Sequence, residues 1–210
     1  MLALLVACTN QPQAAVATQE ELPYYQDATF TPHWLPMESD SLANWHRIRP
    51  FSLINQVGDT VTEASLEGKI YVVDFFFTAC PGICPKMTNN MAILQEAFID
   101  EPDILLLSHS VTPKYDSVAV LKEYAEAKGV NAKKWYLLTG DRDEIYRLGR
   151  HDYFVEEDLG LEKSRDDFLH TENFVLIDRN LHIRGIYNGL NRASVDQLAA
   201  DIRSLLEVAK

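Results

Sequence analysis

Apolar residues recur along this chain with two periods, and the order of those periods predicts the fold. The pattern becomes regular from Arg47. Phe51-Ser-Leu-Ile54 followed by Val57-Gly-Asp-Thr-Val61 reads as a short strand, a turn at Gly58-Asp59 and a second short strand. Ile70-Tyr-Val-Val-Asp-Phe-Phe-Phe77 is an apolar, β-branched and aromatic run broken only by Asp74, the mark of a strand buried on both faces. Met87, Met91, Leu94 and Phe98 then recur at helical spacing, predicting a helix that begins close behind Pro85 and ends before Glu101-Pro102. Ile104-Leu-Leu-Leu107 is a second buried strand. Val118, Leu121, Tyr124 and Ala125 stripe a helix that Gly129 terminates. Trp135-Tyr-Leu-Leu138 is a third strand, and Asp141 caps a helix carrying Ile145 and Leu148. Phe174–Ile177 and His182–Tyr187 flank a hairpin turn at Asp178–Leu181. Ser194 with Gln197 reads as a capping box before a closing helix with Val195, Leu198, Ile202, Leu205 and Leu206 on one face.

Strands that alternate with helices require parallel pairs joined by right-handed crossovers, and the late hairpin adds antiparallel strands to the same sheet. The expectation is an α/β domain over residues 46–210: a thioredoxin-like mixed sheet with helices on both faces and an N-terminal β-hairpin extension. Residues 8–45 keep no period. Rich in Gln, Ala, Pro, Thr and Glu, they read as a tether packed partly on the domain through Tyr24, Tyr25, Phe30 and Trp34. His33, Trp34 and Met37 are taken as packing or solvated side chains.

Composition narrows the function. With 210 residues, 47% of them hydrophobic, the chain can bury one core without crosslinks. Its formal net charge of −12 excludes a nucleic-acid binder, which needs a basic face to displace counterions from phosphate. Cations and other proteins remain as partners. Residues 1–7 are too short to span a bilayer, and Leu4-Leu-Val-Ala7 reads as the remnant of an export signal. Leu5-Val-Ala-Cys8 looks like a bacterial lipobox, whose cysteine takes a diacylglycerol. That implies an exported lipoprotein on the periplasmic side of a bacterial membrane, and it leaves two of the three cysteines for thiol chemistry.

Those two lie in Thr78-Ala-Cys80-Pro-Gly-Ile-Cys84-Pro85, between a buried strand and the start of a helix. A helix N-terminus stabilises anions, so at least one thiol should ionise readily. Three intervening residues let the sulfurs either bond or straddle one soft metal ion. An inert buried pair and a structural zinc site are the bland alternatives, and zinc needs about four ligands with no second cysteine pair to supply them. His170 precedes the strand Phe174–Ile177, which in a thioredoxin-like fold enters beside the cysteine loop. Two thiolates and an imidazole suit Cu(I), and the imidazole with an added oxygen ligand can hold Cu(II). Asp74 is costly in such a strand unless used or paired, and Lys69 or the backbone could satisfy it. Met87 and Met91 are read as core, His109 as a packed side chain rather than a fourth ligand, and His46, His151 and His182, in turn or strand contexts without partners, are assigned nothing.

Phe75-Phe-Phe-Thr-Ala-Cys-Pro-Gly-Ile-Cys-Pro85, Leu138-Thr-Gly140 and the His170 segment together resemble the Sco/SenC family over roughly residues 46–210. The resemblance implies a thioredoxin-fold copper chaperone for the copper A site of cytochrome c oxidase, with Cys80, Cys84 and His170 as ligands for one copper ion. The oxidase's copper-binding subunit, or another copper acceptor, would be the partner, with a thiol reductase as a further one. Two departures stand out. Thr112, in Ser110-Val-Thr-Pro113, occupies a position that is acidic in many members. Asp74 resembles the buried acid of thioredoxins, which keeps a thiol–disulfide oxidoreductase, with Cys80 and Cys84 as the redox pair, as the alternative.

Overall fold

Seven strands form one sheet in the computed structural model, which describes residues 22–36, 40–156 and 167–208. They are β1 (Ser52–Asn55), β2 (Thr60–Thr62), β3 (Ile70–Phe76), β4 (Ile104–Ser110), β5 (Trp135–Thr139), β6 (Asn173–Ile177) and β7 (Ile183–Asn188). Their spatial order is β2-β1-β5-β4-β3-β6-β7. β3, β4 and β5 run parallel, while β1 pairs antiparallel with β2 and β5, and β6 pairs antiparallel with β3 and β7. Every residue of β3 and β4 is buried, as their unbroken apolar runs require. The helices are α1 (Glu63–Leu66), α2 (Cys84–Ala97), α3 (Val118–Lys128), α4 (Arg142–Arg147) and α5 (Arg192–Val208), with one π-helical turn, Leu148–Asp152, continuing α4.

Alternation along the strands divides the interior into two cores. On one face Val72, Phe76, Leu106 and Leu176 meet α2, α3 and α5 through Met87, Met91, Leu94, Leu121, Leu198 and Ile202. Tyr71, Val73, Phe75 and Leu107 point the other way, onto Leu66 of α1, Ile145 of α4 and the turn that follows it. Met87 and Met91 are therefore core residues, as their spacing suggests.

Four local expectations differ from what the structure shows. α2 begins at Cys84 rather than behind Pro85, because proline fits the first turn, where no amide partner is needed. α5 begins at Arg192: the Asn191 carboxamide oxygen accepts from the amides of Ala193 (2.9 Å) and Ser194 (3.4 Å), so it outcompetes the capping box at Ser194. The Ser194 hydroxyl instead accepts from the Asn188 amide at 3.0 Å. β4 runs on to Ser110, which puts His109 inside a strand. Finally, His46 and His182 do have partners. His46 Nε2 lies 2.7 Å from the Asp152 carbonyl, and His182 Nδ1 lies 2.8 Å from the His46 carbonyl.

The segment ahead of the domain packs on the edge strand. Tyr25 bridges to Ile183, and buried Arg184 pairs with Asp178 at 3.1 Å, stacks on the Tyr24 ring and donates to the carbonyls of Leu22 and Pro23. Trp34 is exposed, whereas His33 packs edge-on against Trp45. Cys8 and Met37 lie outside the described residues. No helix among those described is long and apolar enough to cross a membrane.

Candidate metal centre

The parallel strands β3 and β4 end at one edge of the sheet, and the chain leaves β3 there to form the cysteine loop. Cys80 is half-buried on that loop and Cys84 is buried at the first position of α2, both as free thiols. Burial alone would push the Cys80 thiol up. It is outweighed by hydrogen bonds to its sulfur from the Cys84 thiol and from the amides of Cys84, Gly82 and Ile83, which leave its pKa lowered. Cys84 moves the opposite way, up to about 12. Burial is the largest cause, followed by its hydrogen bond to the Cys80 sulfur and by the charges of Cys80 and Asp74. One sulfur is thus set to ionise while the other holds its proton against it.

Asp74 lies in β3 on the thiol face, fully buried, and its Oδ1 has no hydrogen-bond partner among the described residues. Burial pushes its carboxyl up to about 7, partly offset by a hydrogen bond from Ser108, its register partner in β4. The Ser108 hydroxyl is free to donate to Asp74 because it accepts from Trp135 Nε1 at 2.8 Å. Lys69 does not satisfy Asp74. It pairs with Asp103 at 3.0 Å, at the far end of β3, five residues or about 16 Å of strand away.

His170 sits exposed on the loop entering β6, and three contacts fix that loop. Leu169 is buried in the core opposite the thiols. Thr171 Oγ1 and Asn173 Nδ2 both donate to the Val155 carbonyl, at 2.6 and 3.0 Å. The Phe168 ring meets Phe77 edge-on at 5.5 Å, and Phe77, three residues before Cys80, packs against both cores. The imidazole loop and the cysteine loop are therefore joined through one aromatic contact. Among the described residues, no three His, Cys, Asp or Glu side chains already form a set that could hold an ion.

His109 is packed, as expected, on the face away from the thiols. Its ring stacks on Phe75 at 4.9 Å, both ring nitrogens lack hydrogen bonds among the described residues, and burial pushes its pKa down to about 3. Thr112 donates to Asp116 at 3.0 Å. Asp116 also binds Thr78 beside the cysteine loop, and sequence reasoning missed it. The signal was there in the three hydroxyl residues, Thr78, Ser110 and Thr112, that close the adjacent parallel strands next to an aspartate.

Comparison with known proteins places this arrangement. A family profile described as SCO1/SenC matches residues 40–207. The SCO1 protein homolog of Bacillus subtilis is 31% identical over 163 residues, covering 76% of this chain and 82% of that protein. Among solved structures, a SCO1/SenC family lipoprotein from Bacillus anthracis superposes with a TM-score of 0.67 at 29% identity, covering 77% of this chain and 95% of its own. BsSco, a cytochrome c oxidase assembly protein of the Sco family with a disulfide switch, gives 0.64 at 29% identity over 76% and 93%. Copper-bound ScoI of Bradyrhizobium japonicum gives 0.60 at 26% identity over 76% and 99%. The thioredoxin-like sheet, the two free thiols at its edge and these matches agree: the chain belongs to the SCO1/SenC family.

Proposed function

We propose that this protein is a membrane-tethered chaperone that takes up one copper ion on Cys80, Cys84 and His170 and delivers it to the copper A site of cytochrome c oxidase. The observation that carries the reading is the pair of free thiols, Cys80 on the loop that leaves β3 and Cys84 at the first position of α2, with the His170 loop packed against the same segment. Two thiolates and an imidazole are a donor set suited to Cu(I). Copper-bound ScoI, with a similar fold, supports the cargo. Release would run by ligand exchange: an incoming thiolate of the acceptor displaces one protein ligand while the others retain the ion. A lipid on Cys8 would hold the protein at the periplasmic side of the membrane, a reading supported by the lipoprotein among its structural relatives.

Metal analysis of the full chain after reduction and copper loading tests this. The unmodified protein should carry one copper per chain, and Cys80→Ala or Cys84→Ala should abolish tight binding. His170→Ala binding Cu(I) and Cu(II) as well as the unmodified protein would overturn the three-ligand arrangement. In cells, Cys8→Ser should move the protein from the membrane to the soluble fraction.

The asymmetry of the thiols favours a second reading, a thiol–disulfide oxidoreductase that reduces the acceptor's cysteines. Cys80 would attack the acceptor disulfide, releasing one acceptor thiol, and Cys84 would then displace the other, leaving a Cys80–Cys84 disulfide. Cys84→Ser should accumulate the mixed disulfide with its acceptor, and failure to trap any partner would count against this activity.

A further inference from the structure

Asp116 lies in the turn between β4 and α3, 2% exposed, and no Lys, Arg or His pairs with it among the described residues. A buried carboxylate without a cation is tolerated only when donors satisfy its oxygens. Here four do. The Thr78 hydroxyl donates to Oδ1 at 2.5 Å, and the Thr78 amide (3.3 Å), the Ser110 hydroxyl (2.5 Å) and the Thr112 hydroxyl (3.0 Å) donate to Oδ2. The base of this cluster is fixed to the sheet. The Val111 amide donates to the Phe76 carbonyl at 2.9 Å, the Asp116 amide to the Thr112 carbonyl at 3.0 Å, and the Thr112 amide to the Ser110 hydroxyl at 3.1 Å.

Two of the four donors belong to Thr78, two residues before Cys80, in a loop that is neither strand nor helix until Cys84. We infer that Asp116 is a positioning residue for the thiol pair: it clamps Thr78 to the end of β4, so that Cys80 is held against Cys84 before any ion arrives. The inference deepens the copper-binding reading and rests on it. The residue at 112 fits this role in this chain, because a threonine can donate to Asp116 whereas a carboxylate there would repel it. A ligand pair ordered in advance does not lose loop freedom when it closes on an ion.

Thr78→Val removes the hydroxyl donor and keeps the shape, and Thr78→Ser restores it. In the full chain, competition with a Cu(I) chelator should show Thr78→Val weakened about tenfold, as for other supports of metal ligands, with Thr78→Ser close to the unmodified protein. Asp116→Asn should weaken binding at least as much. If it melts out, the Thr78 pair decides. A second readout needs no copper. In glutathione buffers one oxidised glutathione converts the dithiol to the Cys80–Cys84 disulfide and yields two reduced glutathiones, and Thr78→Val should shift this equilibrium toward the dithiol by a similar factor. Failure of the unmodified protein to bind copper would sink the chaperone reading and leave the disulfide equilibrium to judge the clamp. A folded Thr78→Val with unchanged copper affinity and disulfide equilibrium, or one altered only in its melting temperature, overturns the inference.

Discussion

The two halves of the proposed copper site are built in different ways. The thiol half is local: Cys80 and Cys84 lie within five residues of one strand-loop-helix turn, and the amides that stabilise the Cys80 sulfur come from the same turn. The imidazole half is assembled at long range. The loop carrying His170 is held by buried Leu169, by the Val155 carbonyl, which accepts from Thr171 sixteen residues later, and by the contact of Phe168 with Phe77. The halves even draw on different cores, Cys84 on the face of α2, α3 and α5, Leu169 on the face of α1 and α4. Local construction fixes the electrostatics of a pair of ligands. Distant construction leaves the proposed third ligand, His170, sensitive to packing far from the thiols.

The largest effect that separates them is electrostatic and belongs to the thiol half. Asp74 has its carboxyl raised from 3.8 to about 7 by burial. Below pH 3.8 both folded and unfolded chains hold the proton and there is no penalty. Between 3.8 and 7 the unfolded chain releases it while the folded one does not, so the native state loses stability until the loss levels off above 7. Asp74→Asn removes this dependence. Urea unfolding should find that the stability of the variant minus that of the unmodified protein is larger at pH 8 than at pH 4, by up to about 4 kcal/mol. An equal difference at both pH values would show that this acid is not carrying the penalty.

What the sequence made legible follows the same division. The buried strands β3, β4 and β5, the helices between them and the cysteine loop at a strand-to-helix junction all announce themselves through residues adjacent in sequence, by period or by motif. Asp74 was visible as a lone acid in an apolar run, although Lys69, its nearest candidate partner in sequence, turned out to lie at the opposite end of the strand. The support of His170 was not visible. It depends on a π-helical turn at Leu148–Asp152, whose Gly149 lies against Leu169 and accepts from the Val155 amide at 2.9 Å, so that the Val155 carbonyl can hold Thr171, contacts that no local pattern encodes. The cap of α5 was misplaced by three residues because Asn191 and Ser194 are both competent caps, and only the chain's path out of β7 decides between them.

A smaller effect should break the imidazole half alone. Gly149, in the π-helical turn, lies against Leu169: a Cβ there would come within 2.7 Å of Leu169 Cδ2 and 3.1 Å of Phe75 Cε1. Phe75 cannot yield easily, because its ring is stacked on His109 and faces Tyr153. Leu169 must move, and His170 is the next residue. Gly149→Ala should therefore cost about 1–3 kcal/mol of overpacking, less whatever the alanine gains as the better helix former. It should also weaken copper binding while leaving the alkylation rate of Cys80 and the dithiol–disulfide equilibrium where they were. Loss of copper affinity together with altered thiol chemistry would mean that the Phe168–Phe77 contact transmits the shift, and that the two halves form one unit rather than two.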